Sequence, residues 1–349
     1  MPKVFLIIVT YKADKFLPGL FASLAEVTTD NFELQTIVVE NNSKDGTLAW
    51  LKNKPGLHLL PQTTNTGFAE GNNIGMRYAL ERGADYIFLL NQDTEADPLF
   101  LSTIVKVMEV DKTIGAAQSL LLLHENGTRT NKINSWGNEL QFLGFGYSGG
   151  LNKSSNNISE KIKTITYASG AAVMYRATAL KQVGLFDSSY FLYHEDTELS
   201  LKLRFANWKI VMIPLSKIWH KYHFGNSKTT YQYLERNRLR ILLEFYKLPT
   251  LILILPMFIL LEMGVSIFSM ISGFFGEKIK AYGWIIKNWS TVMSKRQTIQ
   301  KTRLLNEKDL AKSIVGSIDF AGINNPILHY LANPLLSIYW FLVKLIIFW

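Results

Sequence analysis

Apolar runs that stop abruptly at short polar loops recur through the first hundred residues. Residues 4–10 form a near-continuous β-favouring run, the pattern of a strand buried on both faces. No small-residue cleavage site follows it, so it reads as a first strand and not as a signal peptide. Residues 14–27 carry Phe16, Leu17, Leu20, Phe21 and Leu24 at helical spacing. A second buried strand is predicted over 34–40, a short helix over 47–52, a short strand over 57–60 and a helix over 71–82. The apolar run 86–90 is a third long strand, ending at Asn91-Gln92-Asp93, with a new helix predicted from Leu99 after Asp97-Pro98. Strand and helix alternate, which predicts a mostly parallel sheet with helices on both faces. With right-handed connections, the polar loops at Thr10-Tyr11, 40–43 and 91–93 gather at one sheet edge, where open α/β sheets hold ligands.

Further on, the pattern thickens into stretches with candidate chemistry. Residues 64–75 (TNTGFAEGNNIG) hold three Gly and three Asn before an amphipathic helix. Gly67 and Gly71 let backbone approach a ligand, and amides such as Asn65 address phosphate or sugar hydroxyls. The spacing is neither a dinucleotide fingerprint nor a P-loop. Residues 120–163 are looser and predict a short β excursion. In 168–214 an aromatic approach, 186–193, leads into His194-Glu195-Asp196 at a helix start. These acids suit a helix N-terminus, yet an apolar setting raises a carboxylate pKa and fits a general base. A strand over 209–213 is followed by His220 and His223, two of the chain's six His within four positions, a spacing that admits metal ligation.

Composition narrows the picture. At 349 residues the chain has room for about two domains. Its 48% aliphatic and aromatic content excludes general disorder. It contains no Cys, which excludes disulfides, thiolate metal sites and a Cys nucleophile. The net charge of +9 suits nucleic acid, anionic lipid or a phosphorylated substrate. Arg236, Arg238, Arg240 and Lys247 stand immediately before the apolar stretch 248–276, a membrane-proximal layout, and no nucleic-acid reader motif appears. That stretch is long enough to span a bilayer. Pro249, Pro256 and Glu262 interrupt it, so an interfacial or re-entrant hairpin fits as well. Residues 334–349 are apolar again but short.

The ordered set VTYK (9–12), VVENNSKDGT (38–47), NTGFAEGNNIGM (65–76), LLNQD (89–93), SGAAVMYR, GLFDSSYFLYHEDTELSLKLR and YLERNRLR (233–240) resembles glycosyltransferase family 2, especially its rhamnosyltransferase-like branch. The resemblance covers roughly residues 3–245. It implies a GT-A type α/β fold, with a mostly parallel central sheet flanked by helices and then C-terminal membrane-associated helices. Residues 1–245 would be the catalytic domain and 246–349 the membrane-associated helical region. By this resemblance Thr10, Tyr11, Glu40, Asn42, Asn65, Gly67, Asn91 and Arg236 would border the nucleotide sugar. Asp93, with His220 or His223, would hold Mg²⁺ or Mn²⁺ on the diphosphate. Asp196, beside Glu195, would be the base. Glu40 stands where Asp is commonest and Gln92 where Pro is commonest. The implied activity is inverting transfer of a sugar, rhamnose by the branch, from a nucleotide-diphosphate sugar to a lipid-linked or cell-surface saccharide. The other partners would be membrane lipids, with the catalytic domain on the cytoplasmic side and no nucleic acid. Two rivals are a polyprenyl-phosphate glycosyltransferase and a non-catalytic sugar-nucleotide-binding scaffold in a membrane complex.

Overall fold

The computed structural model describes residues 1–222, 225, 227–319 and 326–349. The chain divides into two compact units, Met1–Asn138, Ser148–Arg204 and Trp208–His223 in the first, and Glu139–Tyr147, Phe205–Asn207 and Phe224–Trp349 in the second.

In the first unit, strands β1 (Lys3–Thr10), β2 (Glu33–Glu40) and β3 (Leu57–Pro61) alternate with helices α1 (Leu17–Leu24), α2 (Thr47–Lys52) and α3 (Gly67–Glu81). Then come β4 (Tyr86–Leu90), β5 (Thr94–Ala96), α4 (Phe100–Val110), β6 (Ile114–Glu125) and β7 (Thr128–Ser135). Short strands β8 (Asn138–Leu140) and β9 (Gly146–Ser148), which fall mostly in the second unit, and β10 (Lys163–Thr164) precede β11 (Ala172–Arg176), α5 (Ala177–Val183), α6 (Glu195–Phe205) and β12 (Lys209–His220). The main sheet runs β10-β12-β6-β11-β4-β1-β2-β3. Of these strands β11 and β10 run against the others, so the sheet is mostly parallel, as expected.

Alternation along β1 explains why the sheet is covered twice. Val4, Leu6 and Ile8 face a core with Leu17 and Leu20 of α1 and Phe100 and Ile104 of α4. Phe5 and Ile7 face the opposite core with Met76 and Ala79 of α3. Every residue of β4 is buried, in keeping with its uninterrupted apolar run.

Several elements depart from the sequence expectation. The strand expected over 209–213 runs on to His220, and β6, twelve residues long and ten of them buried, begins ahead of the loose region 120–163 and runs into it. Its small Gly115, Ala116 and Ala117 and polar Gln118 and Ser119 mask the apolar pattern of a buried strand. The predicted helix over 71–82 begins four residues earlier, at Gly67. Asn65 Oδ1 accepts from Gly67 N at 2.9 Å, and the Phe191 carbonyl accepts from Phe68 N at 2.8 Å and Ala69 N at 3.2 Å. A helix start capped from so far along the chain leaves no local trace.

The second unit is helical: α7 (Lys228–Phe245), α8 (Leu248–Ile271), α9 (Phe275–Lys287), α10 (Trp289–Thr302), α11 (Glu307–Lys312) and α12 (Asn333–Ile346). Among the described residues α8 is the one helix long and apolar enough to cross a membrane. The interruption expected there does not occur. Pro249 occupies the first turn, where no amide hydrogen is needed, Pro256 is carried inside the helix, and Glu262 is neutralised by ion pairs.

Candidate active site

Parallel register brings the strand-end loops together. Thr10 lies opposite Glu40, and Ile7 opposite Leu89, so the chain leaves β1, β2 and β4 at one sheet edge. Gln92 ties two of these loops: its Oε1 accepts from Tyr11 N at 2.7 Å and its Nε2 donates to Tyr11 O at 3.0 Å. A Pro there could do neither. Thr10 is buried and its hydroxyl donates to Val39 O, while the Tyr11 ring is 40% exposed. Glu40 turns back on its own loop, Oε1 accepting from Ser43 N at 2.7 Å. Asn42, in left-handed conformation at φ 58°, donates from Nδ2 to Thr63 O at 2.8 Å. Glu40 and Asn42 therefore hold the loop walls.

The Gly/Asn stretch is likewise built for internal packing. A Cβ on Gly67, at φ +82°, would lie 2.5 Å from the Phe191 ring and 2.7 Å from its carbonyl oxygen. One on Gly71 would lie 2.9 Å from Val9 Cγ1. The close approach expected for a ligand is thus made to Phe191 and to β1. Asn65 Oδ1 accepts from Asn41 Nδ2 at 3.1 Å as well as from Gly67, so its amide braces the loop against β2.

Asp93 meets His220 because β5 and β12 pair antiparallel, with Thr94 opposite His220. Lys221 N donates to Asp93 O at 2.8 Å and extends that ladder. His220 is buried, with Nε2 3.2 Å from Asp93 Oδ1 and Nδ1 2.9 Å from Asn134 Oδ1. With Asn134 Oδ1 accepting from Nδ1, Nε2 is the ring nitrogen that faces the Asp93 carboxylate. Two donors of one octahedral divalent ion, each at about 2.1 Å, stand about 3 Å apart, so the 3.2 Å spacing fits such an ion. No group of three His, Cys, Asp or Glu side chains suited to a metal occurs among the described residues. Asn134, on β7, was not legible as a site residue. Its sequence neighbourhood, NKINSW, is ordinary polar strand.

The acidic pair lies at the start of α6, after a loop in which Phe191, Tyr193 and His194 all have positive φ. Such backbone concentrates where function fixes geometry. Asp196 Oδ2 accepts from Gly170 N at 3.2 Å and Oδ1 from Thr197 N at 2.7 Å. The next carbonyl, of Ala171, accepts from Asn91 N at 2.9 Å, so residues 170–171 brace both Asp196 and the Asp93 loop. Burial raises the pKa of Asp196 above the ordinary Asp range, against the pull of its backbone donors. Glu195 is pushed well up, by burial first and by the neighbouring Asp196 second, and its Oε2 has no hydrogen-bond partner. The pair therefore divides: Glu195 favours the neutral form, and Asp196, half-buried and held by amides, is the better placed carboxylate.

Arg236 belongs to the second unit, where its guanidinium stacks 4.7 Å from the Tyr233 ring and 4.8 Å from the Trp284 ring. His223 lies outside the described residues.

The mostly parallel sheet flanked by helices is a GT-A-like α/β fold, and the Asp93–His220 pair and the acidic start of α6 lie where its strand-end loops gather. The family model for "Glycosyl transferase family 2" matches residues 5–184, about half of the chain. The chain belongs to this family. A hexosyltransferase of low-salt glycan biosynthesis from Haloferax volcanii is 25% identical over 206 residues, 59% of this chain and 62% of that protein. The chain thus spans a little under two thirds of that relative. An N-acetylglucosaminyl-diphospho-decaprenol L-rhamnosyltransferase of Mycobacterium tuberculosis is 23% identical over 228 residues, covering 61% of this chain and 74% of its own. This relative supports the rhamnosyltransferase-like branch. In fold, the chain is similar to GalNAc-T7 solved with UDP, GalNAc and Mn²⁺, with TM-score 0.56 and 15% identity over 69% of this chain and 47% of that one.

Proposed function

We propose that this chain is an inverting, metal-dependent transferase that moves a sugar, rhamnose, from a nucleotide-diphosphate donor to a lipid-linked saccharide. The observation that carries the reading is the bracing of Asp196 and the Asp93 loop by residues 170–171. Asp93 and His220 would hold Mg²⁺ or Mn²⁺, which when bound offsets the charge developing on the leaving diphosphate. Asn134 fixes the His220 ring for this role. Asp196 accepts the proton of the acceptor hydroxyl. That oxygen forms the new bond to the anomeric carbon as the carbon–oxygen bond to the diphosphate breaks, and one displacement inverts the carbon. Glu195, held neutral, keeps a second negative charge away from the base. Tyr11, exposed at the end of β1, is the candidate platform for the nucleotide ring. A lipid-linked acceptor accords with the decaprenol-linked substrate in the relative's name and with the exposed apolar helices of the second unit. Those helices support membrane association, and the cytoplasmic side for the catalytic unit is proposed with it.

Calorimetry of the purified chain with Mg²⁺ or Mn²⁺ against dTDP-rhamnose, UDP-sugars and GDP-mannose tests the reading. Metal-dependent binding of dTDP-rhamnose is expected. Binding of another donor would replace the sugar assignment, and binding of none by a folded sample would count against the transferase and leave a scaffold that binds no sugar nucleotide. Product analysis in lipid extracts then separates transfer to a saccharide from transfer to a polyprenyl phosphate.

A further inference from the structure

The second unit shows how it would meet a membrane. Ile252, Leu255, Ile259, Met263, Ile267 and Met270 follow each other at three- and four-residue steps along α8, and each is at least 48% exposed. Thr250, Ile254, Met257 and Ser269 line the opposite, buried side. Burial is one-sided over the first part of the helix; past Met257 only Ser269 is buried, and Phe268, on the same side as Thr250, is exposed. On α12, Leu336, Trp340 and Val343 are buried, while Leu335, Ile338, Leu342 and Leu345 are exposed. α12 continues the π-helical turn Leu328–Ala332 without a break, so the helical stretch 326–346 is about 30 Å long and its length does not decide between crossing and lying flat.

Glu262 decides between crossing and lying flat. It sits past the middle of α8, and its carboxylate pairs with Arg238 of α7 and Lys278 of α9. Both cations also hold Glu235 of α7, Arg238 at 2.9 Å and Lys278 at 2.7 Å, and the Tyr282 hydroxyl donates to Glu262. A membrane-crossing α8 would carry this whole network, with the Arg- and Glu-rich α7, to the depth of the hydrocarbon. An α8 lying in the plane of the interface immerses its exposed stripe and keeps the charged side away from lipid. Exposed Lys280, Lys287 and Trp289 on α9 and at the start of α10 give the cationic and aromatic groups that suit an anionic headgroup layer.

We infer that α8 and α12 together form an in-plane docking face for one leaflet of an anionic bilayer, and that α8 does not cross it. The inference rests on the membrane association proposed above and specifies its mode.

The chain has no Cys, so single thiols introduced at the exposed ends of α8, Leu248→Cys and Ser272→Cys, are unique reporters. The full-length variants are labelled with a membrane-impermeant maleimide in inverted vesicles and in spheroplasts of a bacterial host. Both thiols should react in inverted vesicles, with complete loss of labelling in spheroplasts. Reaction of one end from each side would overturn the in-plane arrangement and leave membrane association standing. Recovery of the chain in the soluble fraction would overturn both. Ile259→Arg, on the exposed stripe, should shift the chain from the membrane to the soluble fraction with its fold retained. Unchanged membrane retention of this variant would also contradict the docking face.

Discussion

The first unit sets the buried Glu195 beside the half-buried Asp196, and among the described residues neither forms an ion pair. The second unit buries Glu235 and Glu244 against Arg238, Lys278 and Arg240. The consequences run in opposite directions. Without a countercharge, burial raises the pKa of both Glu195 and Asp196, and Asp196 raises its neighbour Glu195 further. In the second unit burial also pushes Glu235 up, but Arg238 and Lys278 outweigh it and bring its pKa down to about 2. Its charge is fixed at every working pH, and its use is to hold α7 and α9 together. Pairing, more than depth, separates a carboxylate with chemistry from one with a structural task.

The comparison can be broken at several points. The largest effect expected is at Asp93: Asp93→Ala should abolish metal-dependent donor binding in calorimetry, and chelation of the metal should do the same to the unaltered chain. Next, removing one partner of the second unit's network leaves a buried charge uncompensated. Arg238→Met should cost about 3–5 kcal/mol, read as a fall in denaturation midpoint. Asn134→Leu removes the group orienting His220 and should weaken metal affinity by about 10–100-fold, measured by metal titration in the presence of donor. The smallest effect is on stability against pH. Carboxylates with raised folded pKa stabilise the fold below their unfolded pKa, and that contribution is lost as pH rises through the folded value. Glu195→Gln should therefore raise the thermal midpoint at neutral pH relative to the unaltered chain and not at pH 4. Glu235 has the opposite sign: its contribution is present above the ordinary Glu value and lost as pH falls towards about 2.

Much of this was legible in the chain. Strand periodicity located β1, β2 and β4, and the abrupt polar stops marked the edge where Asp93 lies. What failed to show depends on residues far apart in sequence. Gly67 and Gly71 read as ligand-facing because nothing local reveals Phe191 or Val9 against them. Asn134 is 86 positions from His220, and the antiparallel β6–β7 hairpin that brings it there was hidden in a run of small and polar residues. The pairing of Glu262 with Arg238 and Lys278 is equally long-range. The sequence presents Glu262 as a break in an apolar stretch, whereas its partners make it the polar seam of a continuous helix.

The most direct test of the central claim is transfer by Asp196→Asn and Glu195→Gln, measured beside donor affinity across pH. Asp196→Asn should lose about 10²–10⁴-fold in turnover with donor affinity unchanged. Glu195→Gln should keep turnover, with an acid limb still above the ordinary Asp value because burial is the leading cause of that shift. Near-normal turnover by Asp196→Asn together with an inactive Glu195→Gln would contradict the account and move the base to Glu195.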